Sequence, residues 1–147
     1  MIKDFEFYHG VVFSRLLHET GDEIALKTTA DSGNSAYVLC GRSGLYIKYS
    51  TKRLSPWHFS FNMAHLHEIR QLQTQTKAIA IALVCGRDGI ATLTFAEFKL
   101  VLGQTLRDGG WISVSRKKAE MYAVKGSCGE LSHKVADNDA ARKILSI

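Results

Sequence analysis

Hydrophobic positions along the chain recur with two different periods, and each change of period marks an element. Between residues 4 and 20, Phe5, Tyr8, Val12 and Leu16 recur at three- and four-residue steps, which predicts an amphipathic helix with these four on its buried face. Asp4 opens it, Glu6 suits the positive end of its dipole, and Gly21 stops it. Glu19 falls on the same face, within about 40° of Phe5 at 100° per residue. Strands are predicted at 24–29 and 36–40. After the turn Gly41-Arg42-Ser43-Gly44 a third covers 45–50. In that strand Leu45, Ile47 and Tyr49 face one way, and Tyr46, Lys48 and Ser50 the other. Residues 51–58, with the only proline, Pro56, read as a loop. A helix from about 61 to 76, with Ser60 as cap, carries the stripe Met63, Leu66, Ile69 and Leu72.

Residues 78–85 are continuously apolar, as expected of a central strand covered on both faces. Gly86-Arg87-Asp88-Gly89 turns the chain into a strand at 90–94. Thr94-Phe95-Ala96-Glu97 is a capping box opening a short helix that ends at Gly103. Strands at 111–115 and 121–125 are joined by Arg116-Lys117-Lys118, and a further strand follows Gly126-Ser127-Cys128-Gly129. Residues 139–147 form a short helix at most. The pattern describes one α+β domain over 1–147. A mixed β-sheet flanked by helices spans about 4–85, and a β-hairpin or meander extension spans about 86–147.

Composition narrows the class. With 147 residues, 46% hydrophobic and 22% charged, the chain can bury a core, which excludes wholesale disorder. Its longest apolar run falls far short of the ~20 residues that cross a bilayer, and no signal-peptide pattern is visible. The cysteines, Cys40, Cys85 and Cys128, are odd in number and lack CxxC spacing, so buried or half-buried free thiols in a reducing compartment are expected. The expected location is cytoplasmic, with no membrane partner.

The net charge of +5 is unevenly spread. Residues 1–40 sum to −3, whereas residues 41–87 carry seven basic side chains against Glu68 alone, a local +6. Aromatic residues, among them Tyr46, Tyr49, Trp57 and Phe59, interleave with those cations, a mixture suited to a phosphate backbone with exposed bases. Arg116, Lys117 and Lys118 add a second cationic site at a hairpin tip. The segments around Gly41-Arg42-Ser43-Gly44 and Gly86-Arg87-Asp88-Gly89 echo each other as two hairpins of one turn type, with Arg42 and Arg87 at their tips.

No P-loop, GxGxxG, HExxH or GxSxG motif occurs, and no Cys/His zinc spacing. His65 and His67 diverge by about 200° on a helix and cannot share an ion. Lys48 is the strongest candidate for chemistry, lying mid-strand after a helix and two strands. A helix, three strands, a helix and a strand make the order αβββαβ, and here the chain resembles the core of the PD-(D/E)XK nuclease-like superfamily. The resemblance covers about 4–85 and implies a nuclease-like fold, with Lys48 in the place of the catalytic lysine. It also implies carboxylates holding Mg²⁺, drawn from Glu19, Asp31 and Glu68, with Asp31 and Glu68 as metal ligands. Tyr46 stands where that superfamily has its strand acid. The stretch 44–57 is also similar to a block in bacterial proteins of unassigned activity.

The function so implied is a nucleic-acid-binding domain, with DNA favoured over RNA. Mg²⁺-dependent cleavage is retained or degenerate according to whether the carboxylates converge on Lys48. Phosphate and base contacts are expected from Arg42, Lys52, Arg53, Trp57, Arg87, Arg116, Lys117 and Lys118. The alternative is a non-enzymatic protein-interaction module, an accessory or inhibitor protein docking on a larger complex or on a second copy through its exposed hairpins.

Overall fold

The computed structural model describes residues 1–29 and 33–145. In chain order the elements are α1 (Asp4–Thr20), β1 (Leu26–Thr28), β2 (Ala36–Leu39), β3 (Ser43–Ser50), β4 (Trp57–Phe61), α2 (Met63–Gln75), β5 (Ala78–Cys85), β6 (Gly89–Thr94), α3 (Phe95–Leu102), β7 (Gly110–Ser115), β8 (Ala123–Gly126), β9 (Gly129–Glu130) and α4 (Ala140–Leu145). Strands β1-β2-β3-β5-β6 form one sheet, antiparallel except for the parallel pair β3 and β5. Strands β4-β7-β8-β9 form a second, antiparallel sheet. Among the described residues no helix is long and apolar enough to cross a membrane.

The alternation read in β3 sorts the molecule into layers. Leu45 and Ile47 join Ala80, Ala82 and Val84 of β5 in a core closed by Val12 and Leu16 of α1 and by α4. Tyr46, with Ile79, Ile81 and Leu83, belongs to the opposite core, shared with Leu66, Ile69 and Leu72 of α2, with α3, and with the second sheet. Strand β6 completes the first sheet beyond residue 85, and β4, before it, opens the second.

Strand β4 lies where the end of a loop and the start of a helix were expected. Trp57, Phe59 and Phe61 are buried while His58 and Ser60 face out, a period-2 pattern that the adjoining Pro56 obscured. Asn62, not Ser60, caps α2, its side chain accepting from the His65 backbone N–H at 3.0 Å. The cysteines also differ from expectation, with Cys85 buried but Cys40 and Cys128 exposed, Cys40 because it occupies the turn itself at φ +54°.

The buried face of α1 is turned slightly from the one its apolar residues suggest. His9, Val12 and Leu16 are buried, whereas Phe5 and Tyr8 are half-buried. His9 can occupy the interior because its Nδ1 lies 2.7 Å from Tyr37 Oη on β2. Burial lowers its pKa from 6.5 to about 4. The unfolded chain therefore binds a proton at His9 that the native chain refuses. The stability that neutral His9 supports is complete above pH 6.5 and falls as pH drops from 6.5 towards 4. Thermal unfolding across this interval should show that loss in the wild type and a flatter profile in His9→Phe. Equal slopes would remove His9 as its source.

Candidate nucleic-acid interface and the Lys48 cluster

Two groups of sequence-predicted residues come together, at separate places. The first gathers around Lys48 on the α2 side of β3. Its ammonium donates to the Ser60 carbonyl at 2.8 Å, lies 3.3 Å and 3.4 Å from the two ring nitrogens of His65, and sits 5.1 Å from the Phe61 ring centre. Tyr46, two residues earlier on the same face, donates its hydroxyl to Glu68 Oε1 at 3.0 Å. Burial lowers the Lys48 pKa, against a raising influence from Glu68. Burial and then the charge of Lys48 lower that of His65. Burial followed by the Glu68 charge raises that of Tyr46. The Glu68 charge thus acts on Lys48 without a direct ion pair between them.

Among the described candidate carboxylates, Glu68 stands beside the Lys48 cluster and Glu19 does not. Glu19, across the sheet on α1, accepts the Ala141 backbone N–H at 3.0 Å and so caps α4. Asp31 lies outside the described residues. Among those residues no group of three His, Cys, Asp or Glu side chains could hold a metal. The donors described near Lys48 are one carboxylate, engaged by a phenol, together with an imidazole beside an ammonium. Among the described residues that set offers Mg²⁺, a hard cation that takes oxygen ligands in octahedral geometry, a single carboxylate. The cluster can present a partly desolvated ammonium to an anion. His65 and Glu68, three apart and hence on one helix face, are the pairing legible in the sequence; His65 with His67 is not.

The second group forms at the end of the first sheet where β3 and β5 finish. A depression of about 290 Å³ there is lined by Arg53, Trp57, Asp88, Arg116, Lys117 and Lys118. Arg116 is its structural member. It is bound to Asp88 at 2.7 Å and to Asp137 at 3.6 Å, and lies 4.6 Å from the Tyr122 ring centre. Its backbone N–H donates to Ser55 Oγ at 3.1 Å, which ties the β7–β8 turn to the 51–56 loop. Trp57 fastens the same loop from inside, its Nε1 donating to the Lys52 carbonyl at 2.9 Å. At 2% exposure Trp57 is a core residue and offers no face for a base to stack on, a correction to its reading as a base contact. Its position in β4 points it inward.

With Arg116 engaged, the remaining cations are Lys52, Arg53, Lys117 and Lys118, all exposed, and none of them forms an ion pair among the described residues. Arg42 and Arg87 do not join them at this depression. The register Ser43↔Ala78 to Ser50↔Cys85 places Arg42 before the start of the parallel pair and Arg87 past its end, about 25 Å apart at ~3.3 Å per residue. Arg42 shares a hollow of about 170 Å³ with Asp22 and Glu23, and Arg87 shares a larger one of about 460 Å³ with Asp4 and Asp88, so each has acidic company.

Comparison with solved structures finds a weak, partial similarity to Hjc, a Holliday junction resolvase from the archaeal hyperthermophile Archaeoglobus fulgidus. The TM-score is 0.38 and the identity 13%, over 60% of this chain and 78% of that one. No family model matches the chain, and no curated protein matches it.

Lys48 is a desolvated cation with a lowered pKa, so the native state binds fewer protons than the unfolded state between that lowered value and 10.5. Through this window stability rises with pH. Lys48→Met is expected to keep the fold, to be at least as stable as wild type at pH 7, and to lose part of the rise towards alkaline pH. Urea midpoints at a series of pH values would show this. A strongly destabilised Lys48→Met would mean that the ammonium supports the fold instead.

Proposed function

We propose that this chain is a nucleic-acid-binding module that grips the phosphate backbone with Lys52, Arg53, Lys117 and Lys118 and does not cleave it. The observation that carries this reading is the depression at the end of the parallel strands. There Arg116 spends its charge on Asp88 and Asp137 and holds two cationic loops together, while Arg53, Lys117 and Lys118 line it without an ion pair among the described residues and Lys52, donating to the Pro56 carbonyl at 2.9 Å, stands on the adjoining loop. Unpaired cations gathered on a rigid rim are what counterion release from a polyanion requires. Among the described residues that line the depression the one aromatic, Trp57, is buried, so recognition falls on the backbone and little on sequence. Duplex DNA is the favoured ligand, since its regular phosphate spacing suits a fixed rim. In this reading Lys48, Tyr46 and Glu68 are the degenerate remainder of a cleavage centre, with a phenol in place of the strand carboxylate.

Four phosphate contacts should cost about a hundredfold in affinity between 50 and 200 mM salt. Fluorescence anisotropy with a labelled duplex checks this. The triple variant Arg53→Ala/Lys117→Ala/Lys118→Ala should flatten the log–log salt slope by about three, while Arg42→Ala leaves it unchanged. Plasmid incubated with Mg²⁺ or Mn²⁺ should stay intact. Salt-insensitive retention, or a slope untouched by the triple variant, would end the proposal.

A further inference from the structure

The exposed face of α1 carries features that the monomer does not use. Phe7 is 59% exposed, Val11 43% and Leu17 45%, three large apolar side chains on one side of one helix. Gly10 lies among them in mid-helix, where glycine is unfavourable relative to alanine. Its φ is not positive, and a Cβ built on it would meet no atom within 4 Å. Nothing inside the monomer calls for the missing side chain, so the glycine makes sense as a place where an outside neighbour comes close.

The face is complementary to itself. Asp4 and Glu6 stand in its first turn and His18 in its last. Residues 6 and 18, 7 and 17, and 10 and 14 are equally spaced about the same mid-point of the helix. We propose that α1 packs antiparallel against α1 of a second copy, about a two-fold axis passing between the levels of Gly10 and Ser14. Phe7 then meets Leu17 of the second copy, Gly10 meets its Ser14 and Glu6 meets its His18, each contact occurring twice. Antiparallel packing sets the helix dipoles in opposition and the acidic end beside the imidazole, whereas parallel packing would set like beside like. One helical face buries less than a standard interface, so the dimer forms at micromolar concentrations and dissociates on dilution. The phosphate-binding rim takes no part, and the two proposals stand or fall separately.

Sedimentation velocity of the full chain over low to high micromolar concentrations tests this. The wild type should move from monomer to dimer with rising concentration, and Val11→Glu should remain monomeric throughout with an unchanged circular dichroism spectrum. Gly10→Ala is the sharper variant, expected to weaken association about tenfold while raising the thermal midpoint of the dilute monomer. A purely structural role for Gly10 would not separate these effects. A wild type that stays monomeric at the highest concentration, assemblies larger than dimers, or a dimer unaffected by Gly10→Ala would overturn the proposal.

Discussion

The parallel pairing of β3 with β5 is the constraint from which the rest of the molecule follows. Two parallel neighbours cannot be joined by a turn, so the chain must cross over one face of the sheet, and here the crossover consists of β4 and α2. Because β4 leaves the first sheet, it becomes the edge on which β7 pairs, and the second sheet grows from there. The alternation along β3 then decides what each face receives. Tyr46 and Lys48 point towards the crossover, whereas Leu45 and Ile47 point to α1 and α4. The carboxylate of Glu19 and the ammonium of Lys48 are consequently divided by a full sheet, and no local rearrangement would join them.

The same pairing creates the cationic rim. At the end of β3 and β5 the chain must turn twice within a small space, once into the 51–56 loop and once into β6. Gly86 adopts a positive φ there and donates its N–H to the Ser50 carbonyl at 3.0 Å, and a side chain at this position would run into the Lys52 carbonyl. Arg116 arrives from the second sheet and locks onto Asp88 of the adjoining turn. Its charge is spent holding the loops, and that leaves its neighbours free to meet solvent or a polyanion. An ion pair at a partly exposed position contributes little on its own. Joined to a ring contact and a backbone hydrogen bond to Ser55, it decides where Arg53, Lys117 and Lys118 are displayed.

Local pattern made much of this legible. The helices, the alternation of β3, the buried β5 and the capping box of α3 follow from period and punctuation. Burial of a polar residue was harder to foresee. His9 turns the α1 face because Tyr37, 28 residues away, offers its hydroxyl. Glu19 lies towards the interior as its angle implied, yet its partner is the backbone of α4, a helix too short to stand out in the sequence. Trp57 fits both a basic aromatic surface and a strand core, and the alternation with Phe59 and Phe61 is the clue that separates them. Pairings between distant segments leave no trace in a single sequence. The turn echo foresaw two similar hairpins, but only the parallel register reveals that Arg42 and Arg87 sit at opposite ends. Only the β4–β7 ladder, pairing residues between Trp57↔Val114 and Phe61↔Gly110, carries Lys117 to Arg53.

Phosphate binding at the end of the parallel pair, as proposed, has a direct spectroscopic signature. Amide chemical-shift mapping on titration with a short DNA duplex addresses it most directly. Shifts should be confined to residues 52–55 and 116–119 and to the Trp57 indole N–H, with Arg42, Lys77 and the exposed face of α1 unmoved. Shifts centred on Arg42 and Lys77, or none at saturating duplex, would contradict it.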